Sequence, residues 1–328
     1  MIVYRIFIDD RIKDIARRYR LGLFATKRSN FVQPCSNLEN LRDNLDCTNH
    51  FAFVYRARKY IDKIIADFWK NLDALPSTFS SIIKDYEKIL PERWLFTAVS
   101  YNGVTKKFYK HIVDAMRYED VGPEIYPFLE EVDLHVCVYC NVQPVVYEGK
   151  KANCTLDHFC CKSHYPYLCL SFFNLFPCCQ RCNGKKSYDD FLGYFELYVE
   201  DSSERNPFLF EFGSLKNFVQ TRNCDKAVVT FKLRGSYAPK MITKLDVGGL
   251  YKDKTAKDRL EMILKRAQEI SSCHVNVTND SFGLSVSATS LSSIQLECII
   301  GKYYRIEDIH KEMCTKLSID FAKKLGLL

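Results

Sequence analysis

The stretch "LDHFCCKSHYPYLCLSFFNLFPCCQRCNGKKS", Leu156 to Ser187, carries six cysteines, with an Asp-His pair at its head. Four chemistries use such a run: a disulfide knot, a structural metal, a reactive thiol, or a site that breaks a bond. Its surroundings narrow the choice. Nine of the 15 cysteines lie between Cys137 and Cys182. The opening "MIVYRIFIDDRIKD" reaches acids too soon for a secretory leader. No apolar run is long enough to span a bilayer. A cytoplasmic, reducing setting is therefore expected, where disulfides are rare. Clustered cysteines then point to metal ligands more than to scattered core thiols.

The spacing sharpens this. Cys137-Val-Tyr-Cys140 and Cys179-Gln-Arg-Cys182 are two C-x2-C pairs. Each can wrap a knuckle of backbone around one ion, and two knuckles complete a closed, tetrahedral, structural Zn²⁺ site. A thioredoxin-like redox pair needs a βαβ setting that neither pair has. Chance pairing in a cysteine-rich chain is the plainer alternative. Cys154, Cys160, Cys161, Cys169 and Cys178 read as core thiols. Cys178 competes with Cys179 as a ligand, and the spacing to Cys182 favours Cys179.

Outward from this unit the chain divides into three. Residues 1–130 read as mainly helical. His50–Leu72 places Phe53, Tyr60, Ile64 and Phe68 at helical spacing. Ser77–Leu90 opens on Ser77 as a cap and stops before Pro91. Thr105–Tyr118 reads as another amphipathic helix. These aromatic stripes are core faces first. Residues 131–199 form the cysteine-rich core: strands in "ANCTLDHF" and "NLFPCC", then a helix over Asn183–Glu200 with Phe191, Tyr194, Phe195 and Tyr198 on one side. Residues 200–328 read as mixed α/β. They hold a strand at Ala227–Gly235, a helix at Thr255–Ile270, a polar loop or helix approach over Asn276–Ser293, and a terminal basic amphipathic helix. The fold class expected is α+β. "GGLYKDKT", Gly248–Thr255, lacks the Gly-Lys-Ser/Thr of a phosphate loop.

Charge adds a constraint. The net charge is +7. The core, with six basic and seven acidic residues, is −1, while each flank is +4. A polyanionic ligand is allowed, but the core alone cannot neutralise many phosphates. The flanks or a partner must present it, with Arg18–Arg28 and the segment after "FKLRGSYAPK" as candidates.

Between the cysteine pairs lie Asp157-His158 and Asn174. Asn183 follows Cys182, with Lys185 and Lys186 close behind. Alone, a histidine is more often a hydrogen-bonded core residue, and an asparagine a turn or cap. Together they can make a site. If the helix near Asn183 crosses the strand ending at His158, Asp157 and Asn183 offer hard oxygens suited to Mg²⁺ or Mn²⁺. His158 beside them can take a proton from water. Adjacent strand residues face opposite ways, so the strand must end or bulge there and Phe159-Cys160 must leave the ladder.

This order of Cys-x2-Cys, Asp-His, Asn-Leu and Cys-x2-Cys-Asn-x-x-Lys resembles the HNH endonuclease family in its zinc-stapled, four-cysteine form, over about residues 135–195. The resemblance implies a ββα-metal nuclease core. It implies His158 as general base, Asp157 and Asn183 as ligands of a catalytic Mg²⁺ or Mn²⁺, and Asn174 as the brace that orients the histidine. Lys186, with Lys185 and Arg181, is implied as substrate-binding, and Cys137, Cys140, Cys179 and Cys182 as the structural zinc ligands. The wider layout is similar to HNH effectors of Septu-type and retron-linked anti-phage systems. That implies DNA as substrate, with RNA not excluded, an ATPase as partner, and no membrane. The reading to weigh against it is a zinc-stabilised nucleic-acid or protein-binding module without catalysis.

Overall fold

The computed structural model describes residues 4–24, 31–45, 51–187, 196–213, 221, 228–234, 243–270, 275–277, 284–286 and 291–328. Among these residues, helices and six two-stranded sheets make an α+β arrangement.

The N-terminal region is helical where its sequence repeats apolar residues every three to four positions. Helix α1 (Asp10–Gly22) is capped by the Asp9 carboxylate, which accepts from the Ile12 amide at 2.9 Å. Helix α2 (Pro34–Asp43) packs on α3 (Phe51–Leu72). Helix α4 is Pro76–Ile89, so Ser77 is not its cap. Pro76 takes the first helical position, where its fixed φ fits and its missing N–H costs nothing. Thr105–Tyr118 is not one helix either. Strand β2 (Ala98–Tyr101) turns at Asn102-Gly103, with φ of 50° and 75°, into β3 (Val104–Lys107). Helix α5 then covers only Phe108–Ala115. Asn-Gly tolerates the positive φ a tight hairpin needs, and that local signal outweighs the helical periodicity.

The aromatic stripes of α3 and α4 converge on one ring. Tyr167 stacks on Tyr86, with centroids 3.7 Å apart and planes 6° apart, and Tyr60 meets both edge-on. Tyr167 sits in the short 3-10 turn Pro166–Leu168 of the cysteine-rich unit. Two short helices, α6 (Tyr118–Val121) and α7 (Tyr126–Glu131), lead into that unit.

The central unit contains hairpin β4 (Tyr147–Glu148) and β5 (Lys151–Ala152), then β6 (Thr155–His158) antiparallel to β7 (Leu175–Cys178), then helix α8 (Gln180–Lys186). The expected long helix over Asn183–Glu200 is not formed. Helix α8 stops before Ser187, whose φ is 53°. Tyr198–Val199 instead forms β8, parallel to β1 (Ile6–Phe7). Phe191, Tyr194 and Phe195 lie outside the described residues.

Beyond it, β9 (Phe208–Gly213) pairs with β10 (Val228–Leu233), and helix α9 (Val247–Leu250) leads to α10 (Lys254–Glu269). The polar segment 276–293 contributes to strands β11 (Val275–Val277) and β12 (Leu284–Val286). Helix α11 (Ser293–Ile300) carries a Ser292/Gln295 capping box. The terminal helix α12 spans only Thr315–Lys324 and is not a surface helix, since Thr315 through Ala322 are all buried. Its Lys316 and Asp320 pair at 2.6 Å, which makes their burial tolerable. No helix among the described residues is long and apolar enough to cross a membrane.

Candidate active site

The four paired cysteines meet. One ligand atom from each of Cys137, Cys140, Cys179 and Cys182 lies within 4.8 Å of the others. A tetrahedral ion with bonds of about 2.3 Å needs sulfurs about 3.8 Å apart, so a structural Zn²⁺ fits the cluster. The first knuckle closes through Asn141 at φ 54°, whose amide donates to the Cys137 carbonyl at 2.8 Å. The second opens α8, with Cys179 at the cap and Cys182 in the first turn. Cys178 is not in the cluster. Its sulfur lies 3.4 Å from the Thr155 hydroxyl, across the β6–β7 pair. Among the described residues the cysteines are free thiols.

The knuckle also reaches the Asp-His pair. Tyr139, inside the first C-x2-C, is buried and donates its hydroxyl to Asp157 Oδ2. Lys186, in the last turn of α8, sets its ammonium against the same carboxylate. It lies 2.9 Å from Oδ2 and 3.0 Å from Oδ1, and donates to the His158 carbonyl at 2.6 Å. Lys186 is 1% exposed and Asp157 4%. Burial pushes the Asp157 carboxyl upward, while Lys186 and Tyr139 act in the opposite direction.

His158 is the last residue of β6 and is 6% exposed. Its Nε2 lies 3.1 Å from the Cys169 carbonyl. A carbonyl only accepts, so Nε2 carries the proton and Nδ1 the lone pair. Tyr118 packs on the ring at 4.8 Å. Burial, with the nearby Lys162 charge, holds the imidazole down at about 3, so it is neutral near physiological pH.

Asn174 is fully buried between β6 and β7. Its Oδ1 accepts from the Cys160 amide at 2.6 Å, and its Nδ2 donates to the Cys160 and Leu168 carbonyls at 3.1 and 2.9 Å. It thereby clamps the chain leaving His158 to the segment that carries Cys169. The ladder continues one bond past β6, from the Phe159 amide to the Asn174 carbonyl at 2.9 Å.

Asp157, His158, Asn183, Lys186 and Ser187 line one cavity of about 520 Å³. Asp157 and Asn183 bring to it the hard-oxygen donor chemistry of Mg²⁺ or Mn²⁺. The carboxylate is at the same time held by the Lys186 ammonium. Arg181 and Lys185 are not brought there. They reach Asp246 Oδ2, at 3.0 and 2.9 Å.

Several cavity residues lie outside the motif read from sequence. Lys162 lines it, with its ammonium 4.1 Å over the Tyr118 ring. Lys106 and Lys110 reach it from the N-terminal region. The run "TKKFYK" is a basic signal, but nothing local tells which of its lysines meets the Asp-His pair. Tyr139 has no spacing signal beyond its place in the knuckle. Of the flank candidates, Arg18 pairs with Asp14 at 2.8 Å and also with Glu131. Residues 25–30 and 235–240 lie outside the described residues.

Comparison with known proteins finds a partial likeness. The chain is 37% identical over 68 residues to Septu protein PtuB of Bacillus thuringiensis. The match covers 21% of this chain and a quarter of that protein's length. No family model matches, and no solved structure matches.

Proposed function

We propose that the chain is a metal-dependent endonuclease that hydrolyses phosphodiester bonds in DNA. The observation that carries this is convergence: Asp157, His158 and Asn183, separated in sequence, line one cavity behind a four-cysteine cluster. His158 Nδ1 takes a proton from water as its oxygen attacks phosphorus, and the P–O bond to the 3′ oxygen breaks. The Nε2–H bond to Cys169 orients the ring and steadies it when both nitrogens are protonated. Asn174 fixes that carbonyl relative to β6. A divalent ion held by Asp157 and Asn183 would supply Lewis-acid charge to the phosphate and the leaving oxygen. The partial likeness to a Septu protein and the HNH motif order support a place in anti-phage defence, working with a partner protein; the family resemblance makes that partner an ATPase.

One observation favours the second reading, a catalytically silent zinc-stabilised binding module. The Asp157 carboxylate is already balanced by Lys186, as a purely structural pair would be. A plasmid-nicking assay in Mg²⁺ or Mn²⁺ separates the two. Loss of a positioned general base should slow cleavage about 10²–10⁴-fold in His158→Ala, with folding and DNA binding retained. Equal nicking by wild type and variant would remove His158 from the chemistry. Silence of both, with and without an ATPase partner, would favour the binding module.

A further inference from the structure

We infer that the β2–β3 hairpin and α5 form the phosphate-binding wall of the catalytic cavity. In this view Lys106 and Lys110 carry the nucleic-acid backbone that the acidic core cannot hold. The inference rests on the nuclease reading and says how its polyanionic substrate is gripped. The cysteine-rich unit has a net charge of −1, and two of its basic residues, Arg181 and Lys185, reach Asp246 and do not line the cavity. A third, Lys186, is buried against Asp157. Lys162 lines the cavity as well, with its ammonium 3.6 Å from the Glu119 carboxylate; a phosphodiester entering beside His158 therefore draws further cations from outside the unit.

The hairpin supplies them. All four residues of β3 are exposed, although a two-stranded ribbon is marginal alone. It is fastened from below. Val99 is buried and the Tyr101 hydroxyl donates to Asn40 at 3.0 Å, whereas the Lys106–Asp114 pair at 2.7 Å is exposed, adds little to stability and can be displaced by a phosphate. Alternation along β3 turns Lys107 away, its ammonium 5.3 Å over the Phe96 ring, while Lys106 lines the cavity. Lys110, exposed on the first turn of α5, lines the same wall. The surface continues past the chemistry. A second cavity of about 280 Å³, lined by Tyr101, Asn102, His111 and Arg117, shares Lys106 and Asp114 with the first. Two adjoining hollows with Lys106 at their junction make a track longer than one phosphate, as a strand of nucleic acid requires.

The test is the full-length double variant Lys106→Gln/Lys110→Gln. Its binding to a fluorescein-labelled DNA duplex is measured across a salt series without chelator and without added Mg²⁺ or Mn²⁺, beside wild type and His158→Ala. Both side chains are exposed, so the fold should hold, and an unchanged melting curve confirms that it does. Each lost phosphate contact lowers the slope of log K against log salt by about 1, so the double variant should lose about 2 and bind more weakly, while His158→Ala binds like wild type. Nicking in Mn²⁺ should fall with binding. If the double variant keeps the wild-type slope while His158→Ala still abolishes nicking, the wall is wrong and the nuclease reading stands. If wild type binds no duplex at any salt, the wall falls. If it binds through these lysines yet never nicks, the wall stands and catalysis falls.

Discussion

Lys186 is where residue-level chemistry departs most from the motif. As the motif lysine it is expected on a phosphate, yet its ammonium is buried between both oxygens of Asp157 and the carbonyl of His158. A carboxylate and an ammonium so placed hold each other in charge balance, and a dication approaching Asp157 must share or displace that balance. Lys186→Met leaves the buried carboxylate with the Tyr139 hydroxyl but no counter-charge, a change that costs roughly 3–5 kcal/mol. The variant should therefore melt lower without added Mg²⁺ or Mn²⁺, and added Mn²⁺ should raise its melting temperature more than it raises that of wild type. Equal melting curves for the two proteins, with and without ion, would show that Lys186 and a dication do not share Asp157. Asn174 behaves differently. Its three hydrogen bonds to backbone close a short loop between neighbouring strands, within reach of a local sequence signal.

At the scale of elements, the β6–β7 hairpin with α8 is held at its base by the four-cysteine cluster. Tyr139 makes the knuckle more than a staple. The same four-residue turn that presents Cys137 and Cys140 also presents the hydroxyl that binds Asp157. Zinc binding at such a site is folding energy. Cys140→Ser or Cys179→Ser should lose stoichiometric zinc and the cooperative melting of the central unit, and nicking should vanish with them. Retention of zinc and of the wild-type transition by either variant would take that residue out of the metal site. The element boundaries that sequence periodicity misplaced share a cause. Asn102-Gly103 turns the chain where a helix pattern begins. Pro76 starts a helix one residue before the serine that resembles its cap. Residues Tyr198-Val199 leave the helical register to pair with Ile6-Phe7, a partner nearly two hundred positions away.

At the scale of the whole molecule, residues near both ends of the sequence brace the first cysteine knuckle. The His310 ring donates from Nε2 to the Tyr4 carbonyl at 2.7 Å, and its own carbonyl accepts from the His135 amide at 2.8 Å. Asn141, beside Cys140, donates to Ile309 and accepts from the Lys316 amide, and its carbonyl receives the Cys314 amide. His310 is buried, and burial holds its imidazole down at about 4. The unfolded chain takes up that proton near pH 6.5 and the native state does not until about 4, so acidification through this window favours unfolding. The loss amounts to roughly 3 kcal/mol once pH has fallen to about 4. A melting temperature that declines from pH 6.5 toward 4, with a shallower decline in His310→Gln, is the expected result. Parallel declines in the two proteins would assign the effect to other groups.

The cysteine spacing, the Asp-His pair and the asparagines are local signals, and each depends on chemistry that travels with the residue itself. Two-by-two sulfurs select one ion, and a buried carboxamide needs backbone partners close by. These determined the cysteine cluster, the hairpin and the identity of the cavity's inner residues directly from the order of amino acids. What fills Asp157's coordination, which lysines face the opening, and that the terminal helix is buried were decided only in three dimensions. Each depends on a partner far along the chain: Lys186 reaching back to Asp157, Lys106 and Lys110 arriving from the helical region, and Phe210 donating its amide to Asp320. A charge's role is set by what lies across from it, and no spacing rule within one segment encodes that.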